Sequence, residues 1–350
     1  MKISKKFRQR SPEPISQIRV SCVSARWVLI ILLVLIGQNA LALDTGRPEV
    51  KNFIDSMVNK HDFDRRALKQ VLKEAKIQDS ILEAISKPAE KTKAWHEYRA
   101  IFLTDERIRA GADFWREHEP ELKRISDETG VPCEILVGII GVETYFGRIT
   151  GNYRVLDALA TLAFDYPPRS KFFKRELEEF LLLVREESIE ASGATGSYAG
   201  AMGAPQFMPS SFRAYAVDAS ADGKRDIWSN WSDVIGSVAN YFVAHGWQQS
   251  KEVVTRATLS NVWQGDAPDN SLKPAETVSS LSRQGVLFAT DLPNDHKSQL
   301  LLLNGSDGDE YWVGFHNFFV ITRYNRSVMY ALAVHQLGQE IAIEVSRRET

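Results

Sequence analysis

The chain of 350 residues holds only two cysteines, Cys22 and Cys133, so it can build neither a disulfide scaffold nor a cysteine-rich zinc site. It also lacks an excess of charge: 43 Lys+Arg stand against 45 Asp+Glu, a formal net charge of -2. A dedicated nucleic-acid binder would carry a basic surplus to displace counterions from phosphates, so that class is set aside. Internal repeats and low-complexity tracts are absent, and 44% hydrophobic residues suit a folded chain. The common catalytic signatures are missing too. His96-Glu97 has no second histidine at the spacing of an HExxH zinc site, and there is no GxSxG elbow, P-loop or dinucleotide GxGxxG. The seven histidines are scattered singly and read as structural or exposed. Cys133 stands at a helix start, where a thiolate is favoured, but no partner signal accompanies it and it is not read as catalytic.

What is present begins with a leader. Residues 1–26 contain seven basic side chains and one acid, Glu13. The apolar run WVLIILLVLIG follows over 27–37, and then comes Ala40-Leu41-Ala42. A basic segment, a short apolar run and an A-x-A site describe a secretory signal peptide, assigned to residues 1–42. Such a run reaches roughly 16 Å as a helix, against about 30 Å of bilayer hydrocarbon. The periplasm is the expected location, with no stable membrane span after cleavage; an uncleaved inner-membrane anchor is the alternative. A lipid anchor is not expected, because Cys22 precedes the apolar run. Removing the leader leaves 36 Lys+Arg against 44 Asp+Glu, or -8, and Cys133 as the only cysteine.

Residues 50 to about 110 place apolar side chains at three- and four-residue spacing, as in FIDSMVNKH and ALKQVLKEAKI, with Asp62-Phe63-Asp64 able to cap the second helix. Pro132 opens a helix running to about Phe146, and further helices are expected over 172–187, 210–217 and 231–245. The small residues of 192–206 (SGATGSYAGAMGAPQ) permit a close backbone approach. After Trp247 come VVTRATL, SQLLLLN, YWVGF and FFVITRY, β-branched or aromatic runs that read as short strands of a small antiparallel subdomain over 251–320, interrupted by a helix near 275–284. A helix from about Ser327 to Val345 closes the chain. The fold class is α+β, mainly α.

One residue stands out. In EILVGIIGVETYFG, Glu143 is set among Ile135, Leu136, Val137, Ile139, Ile140, Val142, Tyr145 and Phe146. Burying a carboxylate there is costly unless it is paired, and without a partner it stays protonated near neutral pH. A protonated carboxylic acid is what a glycosidase needs to donate to a leaving glycosidic oxygen. A structural ion pair, with Arg148 or Arg169, explains the residue equally well on physical grounds.

GIIGVETYFG, followed by ALATLAFDYPPRS, GSYAGAMGAPQFMPSSF, IGSVANYFVAHGW and ITRYN, resembles the lytic murein transglycosylase B family over about residues 50–340. The resemblance implies a lysozyme-like helical core over 126–250 and 321–346, an N-terminal helical domain over 44–125 and the small β subdomain over 251–320. It implies that Glu143 is a single acid/base cleaving the β-1,4 bond between N-acetylmuramic acid and N-acetylglucosamine, leaving 1,6-anhydromuramoyl ends. Tyr98, Arg169, Ser197, Gln206, Tyr241, Tyr324, Asn325 and Tyr330 match its glycan-groove positions, and Met202 and Phe207 read equally as core. The implied partner is the peptidoglycan glycan strand, with cell-wall synthesis or remodelling proteins as further partners to a monomer. A hydrolytic muramidase on the same fold and a non-catalytic cell-wall scaffold are the rival readings.

No cofactor is required by this chemistry. One loop nevertheless has calcium-type spacing, with Asp218, Ser220, Asp222, Gly223 and Asp226 at positions 1, 3, 5, 6 and 9 of an EF-hand-like twelve-residue loop and the Lys224 carbonyl at position 7. Position 12 is Ser229 where a carboxylate closes the site, and Arg225 replaces the usual apolar residue at position 8. A retained loop with weakened affinity for a structural calcium is expected.

Overall fold

A computed structural model describes residues 41–87, 93–263 and 265–349. The leader reading falls outside these except for its last two residues, Leu41–Ala42, which form strand β1 and pair antiparallel with β2, Lys76–Ile77. No described helix is long and apolar enough to cross a membrane.

The first helices follow the expected apolar stripe. In α1 (Pro48–His61), Val50, Phe53, Ile54 and Met57 are the buried face, and Pro48 occupies the first turn, where its missing N–H costs nothing. Asp64 caps α2 (Arg65–Glu74) by accepting the Ala67 N–H at 2.7 Å. Helices α3 (Asp79–Ser86), α4 (Trp95–Phe102), α5 (Asp105–Glu117) and α6 (Glu119–Thr129) lead to α7 (Cys133–Thr144). The short pair β3 (Tyr153–Arg154) and β4 (Thr195–Gly196) brackets α8 (Val155–Asp165), a 3-10 turn at Pro167–Arg169 and α9 (Ser170–Glu186). Then come α10 (Pro209–Tyr215) and α11 (Trp231–Ala244).

The carboxyl-terminal part contains β5 (Val254–Leu259), β6 (Glu276–Thr277), α12 (Val278–Arg283), β7 (Val286–Leu287), β8 (Lys297–Gly305) and β9 (Gly308–Phe315). These strands make an antiparallel sheet in the order β6-β8-β9-β5-β7. The leucine run of β8 is buried on both faces. Leu301 and Leu303 join the main core, while Leu300 joins a separate cluster with Ala257, Val278, Leu281 and Val313. That explains why this strand does not alternate polar and apolar residues.

FFVITRY is not the strand its composition suggested. It lies in helix α13 (His316–Tyr324), where Asn317, Phe318, Phe319, Val320, Ile321 and Thr322 are all buried. An element buried on every side shows neither a two- nor a 3.6-residue period, so tertiary packing decides its form. Asn317 anchors its start, donating to the carbonyls of Gln248 at 2.8 Å and Lys251 at 3.0 Å. Helix α14 (Val328–Glu349) follows almost at once.

Helix α7 lies antiparallel against α14, and glycine sets how closely. A Cβ at Gly138 would stand 2.5 Å from the Val334 carbonyl oxygen, and one at Gly338 would stand 2.1 Å from that of Glu134. The facing pairs Glu134/Gly338 and Gly138/Val334 step along the two helices in opposite directions. One further turn brings Glu143 opposite Tyr330.

Candidate active site

Glu143 is half-buried, one residue before the end of α7. The helix stops at Thr144, two residues earlier than expected, because Tyr145, Phe146 and Gly147 take φ angles of 52°, 58° and 78°. A left-handed conformation costs roughly 1–2 kcal/mol for each non-glycine residue. The surroundings hold it. The Phe146 ring stacks on Phe114 at 5.5 Å, and the Tyr145 ring is flanked by the guanidiniums of Arg107 and Arg148 at 4.6 and 4.9 Å. The Thr144 hydroxyl donates to the Ala204 carbonyl at 2.9 Å and accepts the Gly147 N–H at 3.1 Å. Arg107 also donates to the Gly141 carbonyl at 3.1 Å, closing the last turn of the helix. Backbone strain supported in this way is typical of functional positions.

The Tyr330 hydroxyl donates to Oε1 of Glu143 at 2.5 Å. Burial first, and the negative Glu143 second, push the phenols of Tyr330 and Tyr324 well above the ordinary tyrosine value. Both therefore remain hydroxyls and serve as donors. The Tyr324 hydroxyl donates to the Pro205 carbonyl at 2.7 Å, and that of Tyr241 to the Arg323 carbonyl at the same distance. Burial, followed by the neighbouring Tyr215, pushes Tyr241 up to about 12.

Tyr241, one of the positions that match the glycan groove, is buried. Its ring is surrounded by His245 at 4.1 Å, Tyr324 at 4.8 Å and Tyr215 at 4.9 Å. Tyr98 is buried against Phe102 and Trp95. Both rings are packed against other side chains and leave little face for stacking. Asn325, half-buried, ends α13 in an extended conformation, and its carbonyl accepts the Ser327 N–H at 2.8 Å.

The small-residue loop approaches its own backbone. A Cβ on Gly196 would lie 2.1 Å from the Ala201 carbonyl oxygen. Ser197 closes the same turn: its N–H donates to the Ala201 carbonyl at 2.8 Å, and its hydroxyl accepts the Ala201 N–H at 3.1 Å. Gln206, at φ 52°, donates from its side chain to the carbonyls of Thr150 and Gly203, both at 3.0 Å. Met202 and Phe207 pair across this turn and are buried core residues. Arg169 is exposed at the 3-10 turn, its guanidinium over Phe172 at 4.4 Å.

In the acidic loop, single carboxylate oxygens of Asp218, Asp222 and Asp233 lie within 4.8 Å of one another. Asp233 was not anticipated. It is fully buried and accepts the N–H groups of Ala219, Ser220 and Asp226 at 2.9, 3.0 and 2.9 Å. The clue was Asn230 capping α11 with an acid three residues on, a helix-start spacing. Ser220 donates to Asp218 at 3.2 Å, the Lys224 N–H donates to Asp222 at 2.9 Å, and Asp226 accepts from Ser229 and from the Trp228 N–H. The donors are hard oxygens, of the kind calcium takes.

Residues 45–339 match the transglycosylase SLT domain model. The membrane-bound lytic murein transglycosylase B of Escherichia coli (strain K12) is 46% identical over 309 residues, covering 85% of this chain and 84% of that protein. The catenated lytic transglycosylase SltB1 of Pseudomonas aeruginosa superimposes with a TM-score of 0.82 at 51% identity, covering 86% of this chain and 99% of that one. The Escherichia coli lytic transglycosylase Slt35 in complex with calcium gives a TM-score of 0.78 at 44% identity, covering 88% and 97%. With most of its length matched at this identity, and with Glu143 held at the strained end of a buried helix, the chain belongs to the transglycosylase SLT domain family and is a lytic transglycosylase of the murein B type.

Proposed function

We propose that this enzyme cleaves the β-1,4 bond between N-acetylmuramic acid and N-acetylglucosamine with Glu143 as its only acid/base. The observation that carries this is the tyrosine pair around Glu143. Burial comes first and the charge of Glu143 second in raising both phenols, and Tyr330 donates a hydrogen bond to Glu143. Glycosidases that use water or an enzymatic nucleophile need two carboxylates across the bond. One is sufficient when the nucleophile belongs to the substrate.

In the protonated state, Glu143 gives its proton to the glycosidic oxygen as the muramoyl C1–O bond breaks. The resulting carboxylate takes the proton of the muramoyl C6 hydroxyl. O6 then closes on C1, forming the 1,6-anhydro ring and returning Glu143 to its acid form. No water is consumed, and tethering the nucleophile to the reacting sugar supplies the proximity. Tyr330 holds the Oε1 oxygen of the Glu143 carboxylate in place. Ser197, Gln206, Asn325 and Arg169 are assigned to the glycan groove, with Tyr98, Tyr241 and Tyr324 forming its wall. Mass spectrometry of digested sacculi tests the reaction: anhydro ends, one water lighter than hydrolysed ends, are expected. Reducing muramic acid alone would refute it in favour of a muramidase. Glu143→Gln should lower kcat by about 10²–10⁴-fold with its folding intact.

The same reading divides the chain into an N-terminal helical part, a lysozyme-like core and a β subdomain over 251–320, which is supported by the separate apolar cluster there. Calcium in the acidic loop would be structural, held by Asp218 and Asp222 with Asp233 in place of the acid missing at Ser229. The leader would deliver the enzyme to the periplasm, which fractionation and amino-terminal sequencing of the exported form test.

A further inference from the structure

Helix α5 turns one stripe toward the strained turn that follows Glu143. Arg107, Gly111 and Phe114 are spaced by four and three residues and so share a face of that helix. Each meets the left-handed run 145–147. The Arg107 guanidinium lies over the Tyr145 ring at 4.6 Å, and the Phe114 ring stacks on Phe146 at 5.5 Å. A Cβ on Gly111 would stand 2.8 Å from Cζ of Phe146, and one on Gly141 of α7 would stand 2.8 Å from the same atom. The Phe146 ring therefore fills a slot between α5 and α7 that only glycine leaves open on both sides. Trp231 bounds the next residue, since a Cβ on Gly147 would stand 2.8 Å from its ring.

Arg107 differs from an ordinary surface cation. It is half-buried, and no carboxylate among the described residues forms an ion pair with it. Burial pulls its pKa below the ordinary arginine value, against a smaller opposing effect of Tyr145. Holding a cation partly out of water without a counter-charge is costly, so its contacts must offset that cost. It has three: the Phe102 ring at 5.2 Å, the Tyr145 ring at 4.6 Å and the Gly141 carbonyl, to which it donates at 3.1 Å. The same carbonyl accepts the Tyr145 N–H at 3.2 Å. A cation at the carboxyl end of a helix also suits the helix dipole. Glu143 lies between these two holds, two residues after Gly141 and two before Tyr145. The clamp thus spans the acid without touching the glycan.

We propose that Arg107 is a positioning residue for Glu143: by joining the Gly141 carbonyl to the Tyr145 ring, it holds the end of α7 where the carboxylate meets the Tyr330 hydroxyl. The proposal rests on the reading of Glu143 as the acid. Two non-glycine residues in left-handed conformation, Tyr145 and Phe146, tend to relax toward the right-handed region, and a relaxed turn would shift the last residues of the helix against α14. Arginine suits the task because its planar guanidinium stacks on rings while donating in its own plane; a lysine ammonium keeps the charge and a donor but not the flat face. The N-terminal helices would then contribute to catalysis through α5.

The test compares the full chain with its Arg107→Met and Arg107→Lys variants on sacculi, well below the Tm of each. Arg107→Met should lower kcat by about tenfold with KM little changed, as a small misplacement of the acid requires, and Arg107→Lys should recover part of that loss. A residue that only stabilised the fold would lower Tm and leave the kcat of the folded enzyme alone. Combined with Tyr330→Phe, the loss in kcat should be smaller than the product of the two single losses, because both substitutions release the same carboxylate. A readout without activity is the Tyr330 hydroxyl proton in the NMR spectrum, protected by its bond to Glu143; it should vanish in Arg107→Met and return in part in Arg107→Lys. Should Arg107→Met fail to fold, Tyr145→Leu removes the other half of the clamp and should lower kcat by a similar factor. Full activity in Glu143→Gln would refute the acid reading, whereas the Tyr330 signal would still decide whether Arg107 holds the carboxylate. An unchanged kcat with the Tyr330 signal intact overturns the proposal. So does a loss confined to KM, which would place Arg107 against the glycan, or a double variant whose losses multiply in full.

Discussion

Gly338→Ala tests whether the α7/α14 crossing is what places the acid. The added Cβ would stand 2.1 Å from the Glu134 carbonyl oxygen, whereas ordinary contact begins at 3.4 Å. The helices must therefore part by about 1.3 Å, since a backbone carbonyl cannot swing aside as a side chain can. Overpacking of this kind costs about 1–3 kcal/mol, and the better helix propensity of alanine returns about 1 kcal/mol. With the clash at the upper end, the net loss is about 2 kcal/mol, a fall in Tm of about 4–8 °C at the roughly 2–4 °C per kcal/mol of larger domains. The catalytic effect should be larger. Tyr330 rides on α14 and Glu143 on α7, joined by a hydrogen bond of 2.5 Å, so parting the helices moves the acid against its holder. Misplacement of about 1 Å costs on the order of 10²-fold, so kcat should fall by about 10–100-fold while circular dichroism shows a folded protein. Gly193→Ala is the control, because there the nearest atom to the added Cβ is 3.5 Å away on an exposed turn. If Gly338→Ala matched that control in both Tm and kcat, the close crossing would not be what positions Glu143.

Three further outcomes are expected. Tyr330→Phe should lower kcat/KM by about tenfold, the loss of one hydrogen bond to a charged group, and should do so through kcat with KM little changed; an unchanged kcat would deny Tyr330 its positioning role. Calcium should raise Tm by an amount that grows with its concentration and that Asp233→Asn abolishes, as linkage requires of a ligand of the folded state alone; a Tm indifferent to calcium and chelator would remove the ion from this loop. Acid should destabilise the fold through Glu186, whose carboxyl the Arg213 hydrogen bond lowers, and through Asp226, where hydrogen bonds from Ser229 and Trp228 outweigh the upward push of burial. Depressed carboxylates stabilise above their unfolded values and lose that contribution as pH falls through their folded values, so Arg213→Ala should flatten the acid limb of a Tm–pH curve.

How much of this could be read beforehand depends on where each residue finds its partner. Glu143 was legible because it contradicts its surroundings: a carboxylate in an apolar helix requires an explanation wherever the helix sits. The cap at Asp64 was legible because its partner, Ala67, is three residues away. Tyr330 matched the family's groove positions, yet nothing in the order of residues reveals that it grips the acid 187 positions earlier. FFVITRY failed for a different reason. Its burial on all sides erases the period by which a helix announces itself.

The α7/α14 crossing shows how such distant pairings become determinate once the fold is known. Gly138 and Gly338 are 200 residues apart, and each alone is a weak helix position, worth about 1 kcal/mol less than alanine. Their use appears only together, since each admits a carbonyl of the other helix at a distance no larger side chain allows. Two such contacts fix both the separation and the register of the antiparallel pair. A slide by one residue would bring Cβ atoms onto those carbonyls, and a slide by a full turn would carry Tyr330 about 5.4 Å along the axis, beyond reach of Glu143. The glycines that weaken each helix in isolation are thus what place a hydroxyl and a carboxylate within 2.5 Å. A search for the active site among charged residues alone would recover the acid but not the glycines and tyrosine that hold it in position.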